Sequence, residues 1–406
     1  MNNDNDNNRP GLTPSKHHHG MVLAADMGDL DLIRLLLDDR IRPQDFDIDL
    51  ALQESDKGLK GFTILSAACW KEHPAVALYL LHSCGASASA EGGTMRSNAL
   101  MAACATQQLS LVRVLIRAGA NMMQSTEDGS TAGETQFDLT FCSTPLGYMF
   151  FIGNLDVVKV LLEEIKGLPS DHAQEEAMKG VAQLILFAIK KNNLPSLRTL
   201  IESSAMDPNM IIIDSNPQLS GTPLWLAVLH DRWEMVQYLL QEHNVEVDKV
   251  SSHDIPTPFL LLCFNRKEIR SPYSGPMRCA IQGLLQHGAN PNPPCHEDFV
   301  MTPLLAAIRA NDLPVVQILK EAGADLMNPG LLPYPPFHFA CVLGQVQIVE
   351  YFMTLCHEGI DFRQPIHIQG NQATPFSIAC NRDDLNVIYC LIRNGWASNT
   401  NMPMTL

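Results

Sequence analysis

The sequence predicts an all-α solenoid of about ten helix-turn-helix repeats with short hairpin loops and several insertions. A motif of Thr, Pro and an apolar residue recurs along the 406-residue chain, and a second apolar stretch follows each copy. Neighbouring copies lie a nearly constant distance apart: 33 residues separate Thr302 from Pro335, and 35 separate Thr222 from Thr257. Self-similarity at such a period is typical of proteins in which each repeat packs on its neighbours.

The clearest repeat runs from Thr302 to Asp325 and reads TPLLAAIRANDLPVVQILKEAGAD. Close copies open at Thr144, Thr222 and Thr374, and weaker ones open at Thr63, Asn98, Thr257 and Pro336. A degenerate copy spans Leu186 to Ile201, and the first repeat, near Leu23, lacks the Thr-Pro opening. The copies predict a repeat domain over residues 20–397, between a flexible polar leader at 1–19 and a tail at 398–406.

Each feature of the motif has a structural reason. Thr can cap the free N–H groups at the start of the first helix, and Pro is tolerated in a first helical turn. The small Ala in mid-helix lets neighbouring helices approach closely. Apolar residues three to four apart form one face of the second helix, and Gly ends that helix because a left-handed conformation costs Gly little. One helix pair cannot bury its apolar face alone, so stacked pairs share a core.

The Thr-Pro-Leu opening, the mid-helix Ala, the second apolar helix and the closing Gly-Ala-Asp resemble the ankyrin-repeat family. The resemblance extends over residues 20–397. It implies paired antiparallel helices with a projecting hairpin, and a concave face of hairpins and first helices that usually binds proteins. Because a fold does not determine a function, the resemblance predicts binding as the mode of action and leaves the partner open.

Three insertions depart from the repeat, near residues 122–140, 163–180 and 265–277. The last one falls between the two helices of a single repeat, and it contains Arg266, Lys267, Arg270 and Tyr273. Each insertion can be a tolerated surface loop, since added loop length costs little free energy. The alternative is a finger that contacts a partner, and the basic residues favour 265–277 for that role.

Composition excludes several classes of function. A formal net charge of −16 argues against nucleic-acid binding, because phosphate binding requires clustered Lys and Arg. No apolar run is long enough for a transmembrane helix, and the Asn- and Asp-rich start has no apolar core of a secretory signal. The expected location is therefore cytoplasmic, although a non-classical secretion route would leave no such mark. The oligomeric state stays open.

Residues that could carry chemistry have structural explanations. Five cysteines recur near the mid-helix Ala, where a small soft side chain packs between helices: Cys69, Cys104, Cys263, Cys341 and Cys380. The chain lacks the close cysteine pairs of zinc sites, and the eleven cysteines indicate a reducing compartment rather than disulfides. His17-His18-His19 could bind a metal, but a solvated place in the leader accounts for it. His338 matches the structural histidine of the ankyrin motif. No nucleophile or phosphate-loop motif is present, so we expect neither an enzyme nor a cofactor.

Basic residues recur near the ends of the first helices, in a chain with only 28 Lys and Arg. Cations are favoured there by the helix dipole, at about 0.3–1 kcal/mol each, and they could also line a groove for an acidic or extended peptide. Trp70 and Trp225 lie on first helices and could be binding anchors or core residues. The candidate partner-binding residues are Trp70, Lys71, Lys191, Trp225, His230, Arg232, Arg266, Lys267, Tyr273, Arg309 and Arg382.

Three functional hypotheses follow. The first is a non-enzymatic scaffold or adaptor that binds a protein along the concave groove. The second concerns the biological setting: the Asn-rich leader and the insertion-bearing array resemble secreted ankyrin effectors of intracellular bacteria, which engage host proteins in the host cytosol. The third is an enzyme with a site in the irregular stretches around 163–220 and 264–277.

Overall fold

The computed structural model consists almost entirely of short helices. It describes residues 14–53, 60–90, 98–122, 144–167, 171–204, 207–214, 219–242, 244–252, 255–264, 273–295, 300–358, 360–368 and 371–396. These residues contain ten helix pairs, so the prediction of an all-α repeat solenoid with about ten repeats is confirmed.

We number the helices along the chain, so that each odd-numbered helix is the first helix of a repeat and the next even-numbered helix is its second. The first five repeats contain α1 (Pro14–Met27), α2 (Leu30–Leu36), α3 (Ile64–Trp70), α4 (Pro74–Ser83), α5 (Ala99–Ala105), α6 (Leu109–Arg117), α7 (Pro145–Phe151), α8 (Leu155–Lys166), α9 (Asp171–Lys190) and α10 (Leu194–Ser204).

The remaining five repeats contain α11 (Pro223–Leu229), α12 (Trp233–Glu242), α13 (Pro258–Phe264), α14 (Gly275–Gln286), α15 (Pro303–Arg309), α16 (Leu313–Glu321), α17 (Pro336–Leu343), α18 (Val346–Thr354), α19 (Pro375–Asn381) and α20 (Leu385–Arg393). A short 3-10 helix, Leu355–Glu358, follows α18. The sequence did not predict the antiparallel hairpin of β1 (Ile366–Ile368) and β2 (Asn371–Ala373) that precedes α19.

The Thr-Pro opening of the motif starts first helices as the sequence predicts. The side chain of the N-cap Thr accepts a hydrogen bond from a backbone N–H of the first turn in repeats 2, 4, 6, 8 and 10, at Thr63, Thr144, Thr222, Thr302 and Thr374. In four of these five helices Pro occupies the first turn, where its missing N–H leaves no donor unpaired.

A left-handed residue ends the first helix in most repeats. Its positive φ turns the chain so that the second helix runs back along the first. In repeat 8, for example, Asn311 has φ 54° and the N–H of Asp312 bonds to the carbonyl of Ala307. The residues at this position are Gly28, Glu72, Gln107, Gly153, Asn192, Asp231, Asn311, Gly344 and Asp383.

The chain divides into two compact bodies. The N-terminal body contains residues 1–188 and 193–206, and the C-terminal body contains residues 189–192 and 207–406. In the N-terminal body the first helices α1, α3, α5 and α7 pack in succession, as do the second helices α6, α8 and α10. In the C-terminal body the first helices pack in succession, namely α11, α13, α15, α17 and α19. The second helices α12, α14, α16, α18 and α20 do the same. Within each body the core therefore lies between neighbouring repeats.

Some predicted boundaries differ from the observed elements. Helix α1 begins at Pro14, inside the predicted leader, and His17 and His18 are 0% and 3% exposed instead of solvated. His17 contacts the carbonyl of Leu36 at 2.8 Å, which joins α1 to α2. The predicted insertion at 163–180 is largely helical, because α8 reaches Lys166 and the 20-residue α9 starts at Asp171. The insertion at 122–140 lies, except for Met122, outside the described residues.

Candidate protein-binding surface

The ends of the first helices form a repeated surface position. We call the two residues that directly precede the left-handed residue in each repeat the first-helix row. In the N-terminal body the row contains, among others, Met27, Trp70 with Lys71, and Phe151 with Ile152. In the C-terminal body it contains, among others, Lys191, His230, Arg309, Leu343 and Arg382.

Apolar side chains of the N-terminal body are exposed along this row. Met27, Phe151 and Ile152 are 63%, 63% and 51% exposed. They end first helices whose other face is buried, as in α7, where Leu146 and Met149 are fully covered. These residues are absent from the predicted binding residues, which were chosen mainly for their positive charge. The signal that could have found them is the Gly that directly follows Met27 and Ile152, since it marks the register.

Trp70 and Lys71 lie in the same row. Trp70 is half-buried, and Lys71 is exposed with its Nζ 3.4 Å from Oδ1 of Asp26 in the preceding repeat. An ion pair of this exposure contributes little stability, so Lys71 can exchange Asp26 for a partner's carboxylate at small cost. The structure thus places both predicted residues on the accessible surface of the N-terminal body.

In the C-terminal body the row is basic, as the sequence predicts for these positions. Lys191, Arg309 and Arg382 are exposed. Leu343, which lies between Arg309 and Arg382 in the sequence, is 39% exposed. Arg309 is the last residue of α15, and Arg382 is the C-cap of α19. Both cations therefore lie beside the partial negative charge of a helix C-terminus, which favours them without a partner.

His230 and Arg232 belong to a polar cluster with a structural role. Nζ of Lys190 lies 2.7 Å from Oδ2 of Asp214, whose side chain is only 5% exposed. Arg232 donates from Nε to the carbonyl of Ile189 and from Nη2 to that of Lys190, at 3.1 and 2.9 Å. Burial lowers the pKa of His230, and the nearby cations Lys190 and Arg232 lower it further. Arg232, a predicted partner-binding residue, therefore caps the end of α9 and supports the fold.

Trp225 does not have the surface position that an anchor needs. It is 3% exposed, and its indole N–H donates to the carbonyl of Pro256 at 2.9 Å. The side chain also covers Gly221, where an added Cβ would come within 2.6 Å of the indole. Of the two alternatives for Trp225, the core position is the one found.

Tyr273 is also buried, contrary to the prediction that the 265–277 insertion presents it to a partner. It is 2% exposed, and its hydroxyl donates to the carbonyl of Cys263 at 3.3 Å. Its backbone N–H donates to Oδ2 of Asp312 at 2.6 Å. Nε and Nη2 of Arg278 bond the same carboxylate oxygen at 3.1 and 3.0 Å. Asp312 thus fixes the end of the insertion to the next repeat. Arg266, Lys267 and Arg270 lie outside the described residues.

The recurring cysteines pack as the sequence suggests, with one exception. Cys69, Cys104, Cys263 and Cys341 are buried, whereas Cys380 in the last repeat is exposed. Burial raises the pKa of Cys69 to about 12, so this thiol stays protonated and unreactive at neutral pH. In the part of the chain that the structure describes, no three His, Cys, Asp or Glu side chains could together hold a metal ion.

His338 is 2% exposed, and burial lowers its pKa to about 4. A backbone hydrogen bond at Gln364 raises this pKa in part, and the ring lies edge-on to Phe337 at 6.2 Å between centroids. The neutral imidazole therefore packs inside α17 as an aromatic side chain. The described helices are also too short or too polar to cross a lipid bilayer.

Comparison with known proteins supports the repeat assignment. The family model described as "Ankyrin repeat" matches residues 220–249, which contain α11 and α12. Alpha-latrotoxin-Lg1a of Latrodectus geometricus is 29% identical over 178 residues, which is 44% of this chain and 12% of that protein. The chain therefore aligns with only a small part of this relative. The repeat match and the ten helix pairs support an ankyrin-repeat family for this chain, with protein–protein interaction as its general role.

Proposed function

We propose that the chain is a non-enzymatic scaffold or adaptor that binds a protein partner through the first-helix row. The observation that carries this proposal is the exposure of Met27, Phe151 and Ile152 at one register of the N-terminal body. Scattered apolar residues are normal on a protein surface, but here the same position of the repeat is apolar and exposed in repeats 1 and 4, and the half-buried Trp70 occupies it in repeat 2. This shared register supports an interaction site.

The chemistry of the row suggests the kind of partner. Exposed aromatic and aliphatic side chains supply most of the affinity in interfaces when a partner desolvates them. Lys71 in the N-terminal body, and Lys191, Arg309 and Arg382 in the C-terminal body, add positive charge to a protein with a net charge of −16. Within the N-terminal body, the exposed apolar side chains and Lys71 together fit an extended peptide with acidic residues between apolar ones.

Affinity capture from cell extract tests the proposal. We expect the wild-type chain to retain a specific protein that Phe151→Ser/Ile152→Ser loses, because the double substitution removes two exposed anchors. Circular dichroism of this variant checks that the lost ring contact between Phe151 and Phe187 leaves the fold intact. The matched control is Leu35→Ser/Leu50→Ser, which removes two residues that are 55% and 48% exposed away from the row. This control should retain the partner. Equal capture by the wild-type chain and both variants would contradict the proposal.

Calorimetry with the captured partner then tests the basic residues. Replacing Lys71, Lys191, Arg309 and Arg382 with Ala should weaken binding about 10-fold or more while the circular dichroism of the chain stays unchanged. Unchanged affinity would show that the basic residues only complement helix dipoles.

The biological setting stays a proposal with two alternatives. A cytosolic adaptor and a secreted effector in a host cytosol would use the same surface. A translocation reporter fused to the chain separates them, because only an effector delivers the reporter into a host cell. An enzymatic role is not favoured, since ankyrin-repeat proteins are generally binding proteins.

A further inference from the structure

A small cavity lies in the N-terminal body, between α1 and the loop that joins repeats 1 and 2. Its volume is about 270 Å³. Pockets for drug-sized ligands span about 300–1,000 Å³, so this cavity fits a smaller group, such as a single side chain. We call it the acidic cavity and define it by His18, Asp45, Phe46, Asp47, Leu50 and Leu52, which line it.

Backbone hydrogen bonds hold the wall of the acidic cavity in place. Leu52 is 5% exposed, and its N–H donates to the carbonyl of Phe62 at 2.9 Å. The carbonyl of Leu52 accepts from the N–H of Gly61 at 2.7 Å. Oδ1 of Asp47 accepts from the N–H of Asp49 at 2.9 Å. The lining is therefore ordered before a ligand enters, which lowers the entropic cost of binding.

His18 supplies a hydrogen-bond acceptor on the inner side of the cavity. The imidazole is 3% exposed, and burial lowers its pKa, so the neutral form prevails at pH 7. A backbone hydrogen bond at Leu50 raises this pKa in part, as expected when one ring N–H donates to it. The other ring nitrogen carries the lone pair of the neutral form, and it has no partner among the described residues. A ligand that donates a hydrogen bond to this nitrogen removes the free-energy cost of a buried, unpaired acceptor.

The charge at the mouth of the cavity selects the sign of the ligand. Asp45 and Asp47 line the cavity and are exposed, whereas His18 is buried. Between residues 38 and 49 the chain has five Asp and two Arg, so the local potential attracts cations and repels anions. The ring of Phe46 lies 6.1 Å from that of His18, between centroids, and an aromatic face also attracts a cation.

We propose that the acidic cavity binds an alkylammonium group, which belongs either to a lysine side chain of a partner protein or to a small amine. The ammonium donates a hydrogen bond to His18, and the carboxylates of Asp45 and Asp47 balance its charge. Leu50 and Leu52 cover the alkyl stem. A carboxylate ligand is repelled at the mouth, and a hydrocarbon leaves the acceptor of His18 unpaired. The site is distinct from the first-helix row, whose residues do not line the cavity.

NMR titration of the full chain tests the proposal. We expect n-butylammonium chloride to produce a saturable shift of the His18 ring signals and of the Leu50 methyl signals. Sodium butyrate, which has a similar stem and the opposite charge, should leave both sets of signals unchanged at the same concentration. The absence of a saturable shift up to about 50 mM n-butylammonium would overturn the proposal. Binding of butyrate with similar affinity would overturn it as well.

Asn substitutions test the two carboxylates with little change of shape. Asp45→Asn/Asp47→Asn should raise the dissociation constant for n-butylammonium at least about 10-fold, because it removes both charges at the mouth. The side chain at residue 47 keeps an oxygen that can accept from Asp49. Asp38→Asn/Asp39→Asn is the matched control, since it removes the same charge from the same segment outside the cavity lining. The control should change the dissociation constant less than about 2-fold, and an equal loss in both variants would contradict a site at the cavity.

His18→Phe tests the acceptor. The substitution retains an aromatic ring beside Phe46 and removes the ring nitrogen. With the Leu50 methyl signals as readout, n-butylammonium should bind about 10-fold more weakly. Circular dichroism checks that the variant is folded, and the Asn variants test the site independently of this substitution. If folded His18→Phe bound n-butylammonium as tightly as the wild type, the assignment of His18 as the acceptor would be wrong.

A lysine peptide distinguishes the two sources of the ammonium group. Acetyl-glycyl-lysyl-glycine amide presents the group on a polypeptide backbone. Tighter binding of this peptide than of n-butylammonium supports a lysine of a partner protein, and weaker binding supports a small amine. Phe151→Ser/Ile152→Ser should leave both dissociation constants unchanged, so the acidic cavity and the first-helix row are tested separately.

Discussion

Phe151 and Trp225 are both large aromatic residues on first helices, but they have opposite environments. Trp225 lies in the first turn of α11, where its N–H bonds to the N-cap Thr222 and its ring packs under the next repeat. Phe151 ends α7 and is 63% exposed. The position along the first helix, counted from its cap, therefore decides whether a side chain supports the fold or is available to a partner.

The buried His338 should make stability depend on pH. Its pKa is lowered from 6.5 to about 4 by burial. The unfolded chain therefore binds more protons between these values, so stability is complete above pH 6.5 and falls as the pH falls towards 4. The loss attributable to His338 should reach about 3 kcal/mol. Urea unfolding of the wild type and of His338→Leu gives the free energy of unfolding at several pH values. The contribution of His338 is the difference between the two proteins in how steeply this free energy depends on pH.

The control for this experiment is His367→Leu, which changes an exposed residue of β1. This variant should keep the slope of the wild type. If His338→Leu also kept that slope between pH 6.5 and 4, the histidine would not be the group that titrates.

Among whole elements, local patterns were predictable and long-range contacts were not. Thr63 and Thr374 were predicted as helix caps because a cap depends only on residues within the first turn. The boundary of α1 was missed because the apolar contacts of His17 and His18 with Phe46 are not visible in a polar leader sequence. The burial of Tyr273 depends on Asp312, which lies 39 residues further along the chain. No local pattern contains that information.

The left-handed turn between the two helices of repeat 2 contains a residue with a Cβ. Glu72 adopts φ 61°, a conformation that costs a residue with a Cβ about 1–2 kcal/mol. Glu72→Gly removes this strain but adds backbone entropy to the unfolded chain, so we expect a net gain of about 0.5 kcal/mol. Denaturant unfolding measures the gain. Glu72→Ala provides the comparison, because it removes the same carboxylate and retains the Cβ. A gain of equal size in Glu72→Ala would assign the effect to charge.

For the whole molecule, the architecture was predictable because it repeats. Ten copies of a weak signal in one frame specify the helix pairs, although a single copy would specify little. The binding surface was only partly predictable. Lys71, Lys191, Arg309 and Arg382 are on the surface as expected, but the apolar members of the row became visible only when the left-handed residues fixed the register. A repeat array has contacts mainly between neighbours, so local changes should stay local.

Substitution of Asp312 tests whether a local change affects only the neighbouring repeats. The side chain is fully buried, caps α16 and accepts hydrogen bonds from Tyr273 and Arg278 of the preceding repeat. Asp312→Ala leaves these donors unpaired and should cost about 2–3 kcal/mol. Hydrogen–deuterium exchange should become faster in α13 to α16, less so in α12 and α17, and stay unchanged in α3 to α6 of the N-terminal body. Asp325→Ala, at an exposed residue of the following loop, should change none of these rates. A uniform increase across both bodies would mean that the repeats unfold as one cooperative unit, and the nearest-neighbour description would then be wrong.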